Sequence, residues 1–406
     1  MASTLTSLYD ESQLQHGFYV PQFQVKIQGV GLPRDVLRDV IQITYHDNIK
    51  EIDGFEITVN NWDPSTRQFK YVGAETSSTQ RGLFDLTDKT VEVWMGYATD
   101  MRLMMKGTFT TLEPNFNAGT PTLTVRGLNA LHQLRRKQYS TTWNNKRDSD
   151  IATDIATRTD GSAAGGAKRF PMPLVINSQA RDKEAILPYV AQNNQYDIDF
   201  LMGRALKLGY VFYLAEGDPS ASDPQQQQQH VYFGPSDGMG PGMRDVTFRL
   251  RWGASLTEFK PTLTTARQIR SVTVNGWDPA RKKAISVKAS IDDKDMKVNA
   301  DLHPLIDAAD AHDEVVVNKP VQSEDDAKRM AQGILKDRLK EIVKASGSCV
   351  GLPDLRAGRQ VVIEGLGARF DGPYFILDTS HSISDGGYVT HFNARRESTG
   401  SLEGLQ

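Results

Sequence analysis

Several stretches of this chain alternate apolar and polar residues one by one, which is the pattern of strands with one buried face. Ile57-Thr58-Val59-Asn60, Val91-Glu92-Val93-Trp94 and Val272-Thr273-Val274-Asn275 read this way, as do residues 120–126 and 388–395. The last two follow the turn sequences Asn117-Ala118-Gly119 and Asp385-Gly386-Gly387. A helical period appears instead over residues 149–157 and 196–208. It appears again from Ser323 onward, where Ala327, Met330, Ala331, Ile334, Leu335, Leu339 and Ile342 fall on one face. Residues 210–214 and 231–233 read as strands joined by the polar stretch 216–230, which contains five consecutive Gln.

The strand patterns come in pairs. Ile57-Thr58-Val59-Asn60-Asn61-Trp62-Asp63-Pro64 is echoed 215 residues later by Val272-Thr273-Val274-Asn275-Gly276-Trp277-Asp278-Pro279. Further on, Val91-Glu92-Val93-Trp94 leads to Lys106-Gly107-Thr108-Phe109, as Val361-Val362-Ile363-Glu364 leads to Asp371-Gly372-Pro373-Tyr374. This second pair is 265 residues apart, so an insertion of 50 residues is expected between the early and late parts of the second copy. The expected fold class is mainly β with α+β insertions: two tandem tube-like β-barrel domains plus an intervening α/β module. The expected boundaries are an N-terminal tail over 1–16, a first barrel over 17–137 and an α/β module with a Gln-rich loop over 138–235. A second barrel over 236–397 carries a helical insertion at about 292–345, and 398–406 is a C-terminal tail.

Composition narrows the function. With 406 residues, a net charge of −3 and 24% charged residues, the chain is long enough for several domains and has no global pull toward nucleic acid or an anionic membrane. Cys349 is the only cysteine, which excludes an internal disulfide framework and a cysteine-rich zinc site. Residues 1–20 lack the apolar run of a signal peptide, and no stretch approaches a membrane span. The expectation is synthesis in the bacterial cytoplasm without a signal peptide, and no insertion into a membrane by the chain itself.

The middle and end of the chain carry a recognisable set of motifs. They are Gln192-Asn193-Asn194-Gln195-Tyr196-Asp197-Ile198-Asp199-Phe200-Leu201, Leu208-Gly209-Tyr210 and Val231-Tyr232-Phe233-Gly234. Gly276-Trp277-Asp278-Pro279 and a final stretch with Gly358, Phe370-Asp371-Gly372, His381, Gly387-Tyr388 and Arg395 complete the set. They resemble the phage late control protein D family, which includes tail hub proteins and the hub part of valine-glycine repeat spike proteins, and the resemblance covers most of the chain from about residue 17 to residue 397. The resemblance implies a structural baseplate hub of a contractile, phage-tail-like injection system. It implies a homotrimer that adapts a sixfold tail tube to a threefold spike, with a tube or tube-initiator protein, a separate spike protein and other baseplate components as partners. The lumen is the implied path for cargo, and incorporation into the baseplate of a particle is the implied destination.

Gly234-Pro235-Ser236-Asp237-Gly238 fits the Gly-x-Ser-x-Gly nucleophile elbow, but Met239-Gly240-Pro241-Gly242 follows where the supporting helix must start, so a plain loop is expected. Asp292-Asp293-Lys294-Asp295 resembles the start of a calcium loop, yet Val298 occupies the place that needs Gly. His312-Asp313-Glu314 precedes a β-branched run and lacks helical ligand spacing. Arg135-Arg136-Lys137 and Arg281-Lys282-Lys283 are short basic clusters without interleaved aromatics, read as solvated strand ends. Trp62 and Trp277 are read as core or turn-packing residues of the two barrels. No catalytic, cofactor-binding or metal residue is therefore nominated, no cofactor and no specific nucleic-acid binding is expected, and the chain is not read as an enzyme. The competing readings are a tail-associated receptor- or glycan-binding β module and a cell-wall hydrolase.

Overall fold

A computed structural model describes residues 4–7, 20–73, 82–87, 89–98, 100–159, 168–170, 172–215, 229–235, 246–266, 268–278, 281–294, 296, 303–308, 312–317, 321, 323–367 and 369–396. The expected C-terminal tail, the expected N-terminal tail apart from residues 4–7, most of the Gln-rich stretch, Ser236 of the elbow motif, and Asp295 and Val298 of the calcium-like motif lie outside the described residues; residues 4–7 of the expected tail pair in parallel with residues 246–249.

The chain is mainly β. It opens with β1 (Thr4–Ser7), β2 (Pro21–Ile27), β3 (Val30–Gly31), α1 (Arg34–Asp39), β4 (Val40–Asn48), β5 (Gly54–Asn60), β6 (Trp62–Asp63) and β7 (Gln68–Phe69). A meander follows of β8 (Thr90–Tyr97), β9 (Asp100–Asn115) and β10 (Thr122–Asn129). The middle holds β11 (Gln138–Lys146), α2 (Asp148–Thr157), β12 (Leu174–Ile176), α3 (Ser178–Lys183), β13 (Leu187–Tyr196), α4 (Asp197–Leu208), β14 (Tyr210–Ala215) and β15 (His230–Pro235). Then come β16 (Val246–Arg251), β17 (Leu256–Leu263), β18 (Ile269–Asp278), β19 (Lys283–Ser290), α5 (His303–Ala308), β20 (His312–Val316) and α6 (Glu324–Lys340). The chain ends on β21 (Val343–Val350), β22 (Gln360–Glu364), β23 (Gly372–Ser384) and β24 (Gly387–Arg396).

Local chemistry accounts for the helices. Ser323 accepts from the Asp326 amide at the start of α6, acids fill its first turn and Arg338 and Lys340 its last. Ala327, Ala331, Leu335 and Leu339 repeat every four residues along its buried face. In α4, Gly209 takes a left-handed backbone conformation (φ 70°) that ends the helix just before β14, which is the role of Gly in Leu208-Gly209-Tyr210.

The large sheet contains two sets of six strands with one plan. In chain order the first set is β2, β4, β5, β8, β9 and β10, and across the sheet it runs β4-β5-β10-β9-β8-β2. The second set, β16, β17, β21, β22, β23 and β24, runs β17-β21-β24-β23-β22-β16, which is the same permutation. The bulges coincide as well. Ile41 in β4 and Thr257 in β17 are each the extra residue against the third strand. Thr110 in β9 and Leu377 in β23 are each the extra residue against the sixth. Two differences remain: β2 runs antiparallel to β8 whereas β16 runs parallel to β22, and β8 faces a further bulge in β9.

This topology corrects the repeat. The meander pair is real, because β8-β9-β10 and β22-β23-β24 are equivalent. The Trp-Asp-Pro echo is not. β5 is the third strand of the first set, and its counterpart is β21, whereas β18 pairs with β19 and β20 in a separate sheet. The connection from β4 to β5 is residues 49–53, and the equivalent connection from β17 to β21 is residues 264–342, which holds β18, β19, α5, β20 and α6. Local strand-and-turn chemistry made Val272-Thr273-Val274 look like Ile57-Thr58-Val59, but the pairing partners that define equivalence are distant in sequence.

Core residues follow the two sets. Val25, Ile43, Tyr45, Phe55, Ile57, Val91, Val93, Leu123 and Val125 build the first core, and Ile383 and Tyr388 from the second set enter it. Leu250, Leu256, Val361, Tyr374 and Phe392 share a second core with Val272, Val274, Ala331 and Leu335 of the 264–342 connection. The middle segment has its own core around Trp143, Ile151, Phe170, Leu201 and Phe233.

Candidate functional site

The two six-strand sets meet where β4 pairs antiparallel with the C-terminal half of β23, from Asn48 opposite Asp378 to Gln42 opposite Ser384. On the core side of this seam lies a buried polar brace. The Asp47 carboxylate accepts from the Ala357 amide (3.2 Å), the Thr379 amide (3.1 Å) and the Thr379 hydroxyl, and it faces the Arg356 guanidinium at 3.1 Å. Arg356 also donates to the Met104 carbonyl (2.6 Å) and lies over the Tyr45 ring at 4.4 Å. One ion pair thus ties β4, β9, β23 and the segment before β22 together. Burial pushes the Asp47 carboxyl up from its ordinary value, and the Arg356 charge is the largest force holding it down. Nearby Asp53 accepts from the Asn48 amide (3.2 Å) and Asn129 (2.8 Å). Burial first, and the Asp47 charge second, raise it to about 8.

His381 completes the brace. Its Nε2 lies 3.0 Å from the Leu355 carbonyl, which can only accept, so Nε2 carries the proton and Nδ1 accepts from the Tyr388 hydroxyl (3.0 Å) or the Thr390 hydroxyl (3.1 Å). Burial, reinforced by the Arg356 charge, lowers its pKa well below 6.5 and keeps the ring neutral. Tyr388 stacks obliquely on Tyr97, whose hydroxyl donates to the Gly351 carbonyl (2.9 Å), so β8 is joined as well.

The other face of the sheet is polar across the seam. Arg126 bridges Glu56 (2.8 Å) and Glu113 (2.7 Å), Lys106 pairs Glu92 (3.5 Å), and Lys26 lies over Trp94. The hydroxyls of Thr58 and Thr124 bond across strands, Gln42 donates to Ser382 (2.8 Å), and Asn393 donates to Asp378 (2.8 Å). Residues of both charge signs are interspersed on this face. At one end of the seam, Val211, Tyr213 and Tyr232 of the middle segment pack against Ile49, Ala357 and Phe375. Gly358 (φ 81°) permits this contact, since a Cβ there would lie 2.5 Å from the Tyr213 ring.

The residues weighed in the sequence do not converge. Gly234 and Pro235 end β15. Asp292 and Asp293 are exposed, and no group of three or more potential metal ligands occurs among the described residues. His312, Asp313 and Glu314 lie on β20, where Asp313 pairs with Lys288 (3.0 Å). Arg135 pairs with Asp199 (3.1 Å), and Lys137 lies over Tyr139. Trp62 packs edge-on against Phe69, a turn-packing role. Trp277 does not: it is 56% exposed, because Gly276 takes the inward place, where any Cβ would lie 2.2 Å from Val321. The brace residues Asp47, Asp53 and Arg356 were not singled out from the sequence. The available signal was parity: Asp47 sits two residues beyond Tyr45, on the inward side of an alternating strand.

Solved structures with this fold include the 43 kDa tail protein of prophage MuSo2 from Shewanella oneidensis, with a TM-score of 0.63, 13% identity, and 93% of this chain and 98% of that chain covered. The tail protein from Neisseria meningitidis MC58 matches with a TM-score of 0.63 and 12% identity over 95% of this chain and 99% of that one. An E. coli component of the type VI secretion system, described as structurally similar to the T4 bacteriophage tail proteins gp27 and gp5, matches with a TM-score of 0.54 and 13% identity over 91% and 76%. The fold is that of phage tail and type VI secretion components, as the motif resemblance implied. A family model described as the Alg8 N-terminal domain matches residues 19–385, and the chain belongs to that family. No curated protein sequence matches the chain. Among the described residues no helix is long and apolar enough to cross a membrane.

Proposed function

We propose that the chain is a structural hub of a contractile, phage-tail-like injection baseplate, of the late control protein D kind, and that it works as a homotrimer between a sixfold tail tube and a threefold spike. The observation that supports this most is the repeated six-strand plan, with bulges at the same places, carried twice by one chain. Three such chains present six similar units, so one face meets a sixfold ring while the whole keeps threefold symmetry. The two sets are the tube-like domains, within 17–137 and 236–397. Residues 138–235 form an α/β module, and the polar sheet face lines the lumen along which cargo passes. The spike, a tube or tube-initiator protein and other baseplate components are the partners, and the role requires no cofactor and no catalysis. Assembly starts in the bacterial cytoplasm and ends in the particle.

The test is the solution mass of the purified chain by light scattering, alone and with a co-expressed candidate spike protein. A mass of three chains in either condition is expected. A monomer in both, with no spike complex, overturns the adaptor role and returns the receptor- or glycan-binding reading and the hydrolase reading to the front.

A further inference from the structure

The internal seam has an unfilled counterpart at each end of the sheet. Second strand β4 covers the free flank of fifth strand β23, beyond the point where β22 stops pairing at Phe375. In the first set the equivalent flank belongs to β9. β8 stops pairing with it at Thr108, and the stretch from Phe109 to Asn115 pairs only with β10 among the described residues. In the second set, the equivalent of β4 is β17, which has β21 on one side and, apart from a single bridge between Trp252 and Leu256, no partner on the other among the described residues. One donor edge and one acceptor flank of the same kind are therefore open, on one chain, at opposite ends.

We infer that β17 of one copy pairs antiparallel with the free flank of β9 in a second copy, in the register that β4 and β23 already show. Aligning the bulges transfers that register residue by residue. Ile43 opposite Ile383 becomes Phe259 opposite Phe116, Thr44 opposite Ser382 becomes Lys260 opposite Asn115, and Asp47 opposite Thr379 becomes Leu263 opposite Leu112.

Three observations beyond topology agree. Phe116 packs edge-on against Phe69 yet is 57% exposed, and in this register it enters the second core beside Phe259, as Ile383 enters the first core beside Ile43. Lys260 lands diagonal to Glu113, an opposite-charge neighbour. The prolines also match. The Thr264 amide donates to the Ile342 carbonyl, so by alternation Pro261 turns its nitrogen to the open edge, and the register sets it opposite Pro114. Neither has an N–H, so the seam strands no donor, at the loss of two ladder bonds. The same proline blunts the edge against unrelated strands. Because donor and acceptor are different surfaces, the contact is head-to-tail and closes only as a ring. The number of copies in that ring rests on the hub reading; the seam itself does not.

Cysteine pairing tests the register. Lys260 and Asn115 form a non-hydrogen-bonded pair in the proposed seam, with Cα atoms about 4.5 Å apart, inside the range a disulfide spans. Cys349 is buried and stays out of the exchange. The full chain carrying Lys260→Cys and Asn115→Cys is expected to give cross-linked species up to three chains on non-reducing gels. Each single variant, and the off-register pair Lys260→Cys with Glu113→Cys, should give at least tenfold less. Phe116→Ser, at an exposed position, should leave the monomer folded by circular dichroism and lower the oligomer fraction by light scattering. Oligomers that do not link, or that link only off register, overturn the seam while leaving the hub reading intact. Linked oligomers that do not close at three chains uphold the seam and overturn the hub reading. A chain that stays monomeric and unlinked, both alone and with the co-expressed spike protein, overturns both.

Discussion

At the residue scale, the brace joins the two sets alongside the β4–β23 ladder and the core that Ile383 and Tyr388 enter. Asp47 is buried with its charge facing Arg356, so removing the cation leaves an unpaired carboxylate in the core. Arg356→Met is expected to destabilise the chain by about 3–5 kcal/mol, since breaking a buried pair on one side costs far more than replacing both partners. Urea unfolding monitored at 222 nm measures this, and a loss under about 1 kcal/mol would mean that Thr379 and the Ala357 amide suffice to hold the carboxylate. His381 supplies a pH dependence. Its native pKa lies well below 6.5, so the folded ring stays neutral as pH falls while the unfolded chain takes up a proton. Its contribution is therefore complete above pH 6.5 and is lost progressively below it. In melts between pH 7 and pH 5, His381→Gln is expected to start from a lower Tm and to lose less of it over that interval. An unchanged slope would assign the acid sensitivity to other groups. Both sets of residues were hard to see in the sequence. A lone inward Asp or Arg carries no motif, and His381 stands out in the sequence only through the family resemblance, since its hydrogen-bond partners Leu355 and Tyr388 are set by the fold.

Elements were far more legible than their partners. The helix expected from Ser323 is α6, with the expected face buried and Ser323 as its cap. Residues 149–157 and 196–208 lie within or one residue beyond α2 and α4, and the turn at Asp385-Gly386-Gly387 joins β23 to β24. These expectations rest on local periodicity and capping, which a short window contains. Pairing is not local. The Trp-Asp-Pro echo misassigned β18 because a strand ending in Asp-Pro looks the same whichever sheet it joins, whereas the meander pair succeeded because order and spacing over three strands constrain topology. The cap gives a contained test. Ser323→Ala removes the acceptor of the Asp326 amide and should cost about 1 kcal/mol. Ser323→Asp, which keeps an acceptor and favours the helix dipole, should restore it. Thermal melts of the two variants check this, and equal loss in both would show that the helix end is held by packing alone.

At the scale of the whole molecule, the plan is a duplicated sheet whose second half has accepted 264–342 into one connection. The Trp-Asp-Pro offset taken with the meander offset puts the extra residues at about 292–345, whereas the connection that is longer in the second set is 264–342, which includes β18. Whether that connection is an appendage or part of the second set follows from its core. Val272, Val274, Ala331 and Leu335 belong to the same buried cluster as Leu250, Leu256, Val361 and Phe392, and α6 also touches α4 of the middle segment. Backbone geometry permits its removal: Leu263 lies opposite Val343, and the Thr264 amide already donates to the Ile342 carbonyl at 2.9 Å, so an Asn-Gly turn replacing residues 265–341 joins the strands as a hairpin. Packing does not permit it. Losing α6 and β18 uncovers the apolar side chains they bury, and at about 1.5–3 kcal/mol each a handful of such side chains is comparable to the whole stability of an average domain, about 5–15 kcal/mol. The shortened chain is therefore expected to bind an apolar dye, to lose a cooperative melt and to aggregate, whereas the first set loses none of its own strands. A shortened chain that stays soluble, melts cooperatively and keeps its oligomeric mass would show that the second set is self-contained, and that the connection is a separate module free to serve another partner.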